Sequence, residues 1–394
     1  MKKNSLIKWC TTTNTKAFWS AFVAVFLFWA AIIGLFYIKY QPEIEKAFWW
    51  LLLTSILISI IVGLLSLVIR LSTTKVLDEP QYDDDDILIN DLIHSLKKEL
   101  DKSKHKEVIT IGSILSNPLF TIGKYELRLQ IGELVRQAAV KEFAKLEDAG
   151  AAIDRLNYYK EIEMIELIDS IGWMKVELGD PNGRADIEKG REIAETLNTN
   201  KGKFYEAKAY RHFGAIERRS HHWQKAFEYN DKSLEKANEI TDEQLKTEAI
   251  AAAHYARAFV YEGQGEYNDA LNSLNESIVN FEKLTNRDRR TMKLCMANEA
   301  KARFLFYSKQ NENDYETIST AKNLFDKALS VAENNTLRLE MVRCYIGLAE
   351  CNLHSTINNQ TEARQYIERA KNVKIKCDDD QKRIRDIESK LNHI

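Results

Sequence analysis

Apolar positions along the chain fall into two regimes. Ala17 to Ile38 and Ala47 to Ile69 run 22 and 23 residues without a charge. At about 1.5 Å rise per residue each reaches roughly 33 Å, enough to cross a hydrocarbon core of about 30 Å. Eight residues, Lys39 to Lys46, separate them, so the pattern predicts an antiparallel transmembrane hairpin. From Ile87 onward apolar residues recur every three or four positions, which predicts helices almost throughout. The β-branched run Val108-Ile109-Thr110-Ile111 is also compatible with one short strand. Pro80, Pro118 and Pro181 punctuate boundaries, and no proline follows.

Charge then orients the hairpin. Lys2, Lys3, Lys8 and Lys16 precede the first span, Arg70 and Lys75 follow the second, and the connector carries only two lysines. That asymmetry predicts both termini on the cytoplasmic side of a bacterial inner membrane. The second span carries Ser55, Ser59, Gly63 and Ser66 on one helix face. Small residues there let helices approach closely, against the first span or in a homo-oligomer around a shared axis.

The chain divides into a basic tail (1–16), the hairpin (17–70), an acidic linker (71–86), a helical connector or degenerate repeats (87–164) and a helical-repeat solenoid (165–394). Repeats appear as recurring small residues: Ala226, Ala270, Ala321 and Ala363 are 44, 51 and 42 apart. Ala258, Tyr261, Gly265, Tyr267, Ala270, Leu271, Leu274, Ser277 and Ile278 together resemble the tetratricopeptide repeat (TPR). Tyr210, Phe213, Gly214, Trp223, Ala226 and Ser233 fill corresponding places upstream. The resemblance implies an all-α fold in which each repeat buries its apolar face against its neighbours. The step is longer than that family's 34 residues, and the proline that often closes its repeat is missing.

The same resemblance implies a ligand groove lined by the first helix of each repeat. Carried over position by position, it holds Lys208, Arg211, Arg218 and Arg219, then Tyr255 and Phe259, then Arg303 and Tyr307. Glu166, Asp169 and Glu177 fall on the extrapolated face one repeat earlier, so the groove is not uniformly basic. Guanidinium groups beside aromatic faces suit an anionic ligand, an oligonucleotide, a nucleotide or a peptide carboxylate.

Net charge −2 over 394 residues excludes a protein that binds nucleic acid by bulk charge alone. Five cysteines without C-x-x-C spacing point away from a disulfide scaffold or zinc ribbon. No catalytic, phosphate-loop or metal-ligand motif is present, His221-His222 having no partner at ligand spacing. A non-enzymatic protein without cofactor or metal is expected, its partners the lipid bilayer, a second copy, an anionic ligand or another protein.

Two functions follow. One is a membrane sensor-effector whose solenoid binds a ligand and whose assembled hairpins open or damage the inner membrane. That architecture resembles bacterial antiphage effectors. The other is a membrane-tethered scaffold that recruits protein partners. The stripe yields a first prediction: Gly63→Trp, which blocks close helix approach, shifts the detergent-purified chain from oligomer to monomer by light scattering. A wild-type monomer sinks it.

Overall fold

The computed structural model describes residues 82–373 and 378–393. They belong to a compact unit, 72–394, separate from residues 1–71. The hairpin, with Ser55, Ser59, Gly63 and Ser66, lies outside the described residues. Among the described residues no helix is long and apolar enough to cross a membrane.

Fourteen helices are described, and no strand occurs among the described residues. They are α1 (Tyr82–Asp101), α2 (His105–Thr121), α3 (Tyr125–Asp148) and α4, which joins Ile153–Ile165, a π-helical Glu166–Gly172 and Trp173–Glu177. Then follow α5 (Gly183–Leu197), α6 (Asn200–Arg219), α7 (Trp223–Asn238), α8 (Glu243–Gln264) and α9 (Tyr267–Glu282). The remainder are α10 (Arg287–Lys309), α11 (Tyr315–Asn334), α12 (Arg338–Leu353), α13 (Gln360–Asn372) and α14 (Asp378–His393). The acidic run Asp83 to Asp86 starts α1, and α4 crosses residue 164 without a break.

Val108 to Ile111 is not a strand but part of α2. Val108, Ile109, Gly112, Leu115 and Leu119 are buried, and that 1-3-3-4 spacing places them on one helix face. Packing of that face against Ile131 and Val135 of α3 outweighed β-branched propensity.

Each helix packs on the next, and alternate helices also touch: α4 on α6, α6 on α8, α10 on α12, α12 on α14. That is the contact pattern of a stacked helical-pair solenoid. The outer helices show why. Their buried positions step 4-3-4 along one face: Ala226, Asn230, Ser233 and Ala237 in α7; Ala270, Leu274, Ser277 and Phe281 in α9. The inner helices, pressed from several sides, are buried more widely; in α12 only Arg343, Glu350 and Leu353 escape the buried class. Small residues set the approach: Gly214 of α6 lies over Ala226 and Asn230 of α7.

Helix starts are fixed by side-chain caps. Thr199, Asp242, Asn286, Asp314 and Asn359 each accept a hydrogen bond from the backbone N–H three residues on. The repeat step is visible in matched ties. Thr241 donates through N and Oγ1 to Asn200 Oδ1, and Thr285 donates in the same way to Gln244 Oε1. Both members of the second tie lie 44 positions beyond the first, the step also separating Ala226 from Ala270.

Gly347 supplies a test of core packing. A Cβ there would sit 2.3–2.6 Å from three ring atoms of Phe325, which is fully buried. Gly347→Ala gains about 1 kcal/mol of helix propensity, while overpacking costs about 1–3 kcal/mol. The variant is expected to unfold at lower urea; an unchanged or raised midpoint would show that the ring gives way.

Candidate functional site

The inner face of α4, α6, α8, α10, α12 and α14 carries the polar chemistry. It begins at the π-helical turn of α4, where one extra residue per turn widens the backbone. Its last residue, Gly172, meets Gly183 of α5 backbone to backbone: a Cβ on either would lie 2.6–2.9 Å from the other's carbonyl oxygen. Glu166, Asp169 and Ser170 are thereby buried against α3 and α6.

Asp169 receives Lys208 Nζ at 2.5 Å and lies 3.8 Å from His212 Nε2. Burial would raise the Asp169 pKa, but Lys208, His212 and Arg128 hold it below the ordinary range. His212, stacked on Trp173 at 4.2 Å, is pushed down to about 4, chiefly by burial. Glu166 is pushed up to about 7 by burial, opposed in part by Ser170 and Arg128 and reinforced by Asp169.

The eight residues assigned to the groove from sequence divide by what they touch. Three meet across three helices: the guanidinium groups of Arg218 (α6) and Arg303 (α10) lie 5.7 and 5.1 Å from the ring of Phe259 (α8). Tyr255 packs on Phe259 at 4.9 Å between centroids. Arg303 also reaches Glu262 at 3.3 Å and Glu299 at 3.4 Å. Tyr307 donates to Glu350 Oε1 at 3.2 Å. Arg219 turns back to Glu177 at 2.7 Å and lies over Trp173, and Lys208 is committed to Asp169. Of the eight, Arg211 Nη1 and Arg303 Nε are buried with no hydrogen-bond partner, the second facing Glu299 at 3.4 Å.

Beside Arg211 stand two cations not assigned to the groove from sequence, Arg289 and Lys293 of α10. Arg289 Nε pairs with Glu248 Oε2 at 2.8 Å. Burial pushes Lys293 down to about 8; Glu248 opposes this, while Lys208, Arg211 and Arg289 add to it. Arg211 is pushed down to about 10 by burial, with Glu248 and Asp169 opposing and Arg289 adding. Both side chains keep some solvent access yet are desolvated, as groups lining a concave face are.

A second set was missed. Arg343 (α12) lies 3.5 Å from both Glu340 and Asp380, and Arg383 (α14) grips Glu350 with bonds of 3.3 and 2.7 Å. The signal was present: Arg303, Arg343 and Arg383 are spaced by 40, each with a carboxylate (Glu299, Glu340, Asp380) one turn earlier. His221 and His222 form the turn after α6, where His221 has φ 58° and His222 Nδ1 lies 2.9 Å from Glu217 Oε2. Cys344 and Cys351 are core residues.

The Glu166 shift yields a pH prediction. The folded chain holds this proton more tightly than the unfolded one, so the site's contribution is greatest below pH 4.5 and declines toward pH 7 and above. Glu166→Gln removes that slope. Relative to wild type the variant is expected to gain about 2–3 kcal/mol between pH 4.5 and 8, at about 1.4 kcal/mol per pKa unit. Urea unfolding at both pH values checks it; parallel profiles would refute the assignment.

No family model and no curated protein matches the chain. Among solved structures it is similar to BtubC (BKLC) from P. vanneervenii, at TM-score 0.44 and 13% identity, over 61% of this chain and 90% of that one. It is also similar to yeast Tom70, at TM-score 0.34 and 18% identity, over 80% of this chain and 76% of that one.

Proposed function

We propose that the chain is a scaffold whose inner helical face receives a segment of a partner protein. The observations that support this most directly are the cation–ring–cation contact of Arg218, Phe259 and Arg303 and, elsewhere on α6, the buried unbonded Nη1 of Arg211. Leaving a buried guanidinium nitrogen unbonded costs about 1–3 kcal/mol or more, and a ligand acceptor would recover that energy. In this proposal the apolar stretches 17–38 and 47–69 tether the scaffold to a bacterial inner membrane with both termini cytoplasmic. A second reading, supported by the Ser55/Ser59/Gly63/Ser66 stripe, makes the assembled hairpins an ion-conducting effector of antiphage defence that answers an anionic ligand on the same face.

The test pans a random 15-residue peptide library against the full-length protein in nanodiscs. Peptides are expected to enrich, and Phe259→Ala is expected to weaken them at least about tenfold without loss of helical signal. Enriched peptides that bind the variant equally well, or no enrichment at all, overturn the scaffold. Ion flux from reconstituted liposomes, absent for Gly63→Trp, would favour the effector reading.

A further inference from the structure

Four ion pairs of the inner face are layered. Glu248 is 6% exposed under Arg289 at 45%, Glu299 1% under Arg303 at 15%, Glu340 6% under Arg343 at 27%, and Asp169 12% under Lys208 at 24%. The carboxylate is the deeper member in each. A guanidinium carries five N–H donors in a rigid fork, and the carboxylate below Arg289, Arg303, Arg343 or Arg383 engages only some of them. The solvent-facing part of each cation is therefore the part left for a ligand.

Arg211 and Lys293 have no carboxylate within ion-pair distance among the described residues. Arg211 Nη1 is buried and unbonded. Propped and unpropped cations together run across α6, α10, α12 and α14. Helices in contact lie about 8–10 Å apart, so the row from α6 through α8 and α10 to α14 extends roughly 30–40 Å. That is too long for one small anion, and matches about ten residues of extended chain at about 3.3 Å each.

The aromatic groups decide what kind of polyanion fits. Stacking of bases needs open ring faces. Phe259 already carries Arg218, Arg303 and Tyr255, and the Tyr307 hydroxyl is spent on Glu350. What the face offers instead is a series of planar forks, several held in place from below, whose geometry matches carboxylates. Resting on the scaffold reading, we propose that this face binds an extended acidic segment of a partner protein, its carboxylates received by Arg211, Lys293, Arg289, Arg303, Arg343 and Arg383.

The test uses the full-length protein in detergent and fluorescence anisotropy. The probes are a labelled 12-residue polyglutamate peptide, its polyglutamine counterpart and a 12-nucleotide oligothymidylate. Polyglutamate is expected to bind at least about tenfold more tightly than polyglutamine, with affinity falling as salt rises. Arg211→Gln with Lys293→Gln is expected to weaken it at least about tenfold at a melting temperature no lower than wild type, because neither side chain is ion-paired and both are desolvated. Lys293→Gln alone serves as a milder variant should the double one unfold. Equal binding of polyglutamine, preference for the oligonucleotide, or indifference to both variants overturns the proposal. Library peptides that enrich, depend on Phe259 and lack acidic residues would overturn it while leaving the scaffold standing; failure of any peptide to enrich removes the scaffold itself.

Discussion

The inner helices are tied to one another by charge, and the rest of the polar face depends on that constraint. A carboxylate on one inner helix meets a cation on another: Asp169 with Lys208, Glu177 with Arg219, Glu248 with Arg289, Glu262 with Arg303, Glu350 with Arg383. Taking a carboxylate out of water is costly unless a partner and hydrogen bonds compensate. Where the acid is the deeper member, as in Asp169, Glu177 and Glu248, the base at the rim limits that cost, since the strongly solvated tip of the long side chain keeps its water. It also ties the inner helices to one another, beside the apolar contacts they share, such as Phe259 against Phe304.

The solenoid was legible in the residues because its outer helices are one-faced. Ala226 and Ala270 occupy the same place in α7 and α9, and Gly265 ends α8 in the left-handed conformation at φ 80°. The last repeats were faint for the opposite reason. Helix α12 is buried around most of its circumference, so its sequence shows no stripe, and the 20-residue α11 displaces Ala321 from the register of its counterparts. Val108 to Ile111 misled because four β-branched residues in a row look like a strand until Leu115 and Leu119 are counted with them.

The candidate site was legible as residue types on a face, and less so as chemistry. Lys208, Arg219 and Arg303 lie where the repeat register puts them, but a register gives no pairing. Asp169, Glu177 and Glu262, which hold them, lie about 40 positions away, a separation no local pattern exposes. The acid–arginine pairs at 299/303, 340/343 and 380/383 recur at that same step. Their repetition is electrostatic rather than apolar, so a search for recurring alanines passes over it.

Pairing also redistributes what the face can do. A cation salt-bridged at the surface contributes little to a new partner unless its geometry is already set. The buried acids set it for Arg289, Arg303, Arg343 and Arg383 and leave donors unspent, whereas Arg211 and Lys293 have no ion-pair partner among the described residues. The first group supplies direction and the second supplies net charge. That division explains how a face whose acids and bases nearly balance can still present positive charge at its surface. It also explains why a net charge of −2, which excludes bulk attraction to a polyanion, does not bear on a groove where Glu248, Glu299 and Glu340 lie beneath their cations.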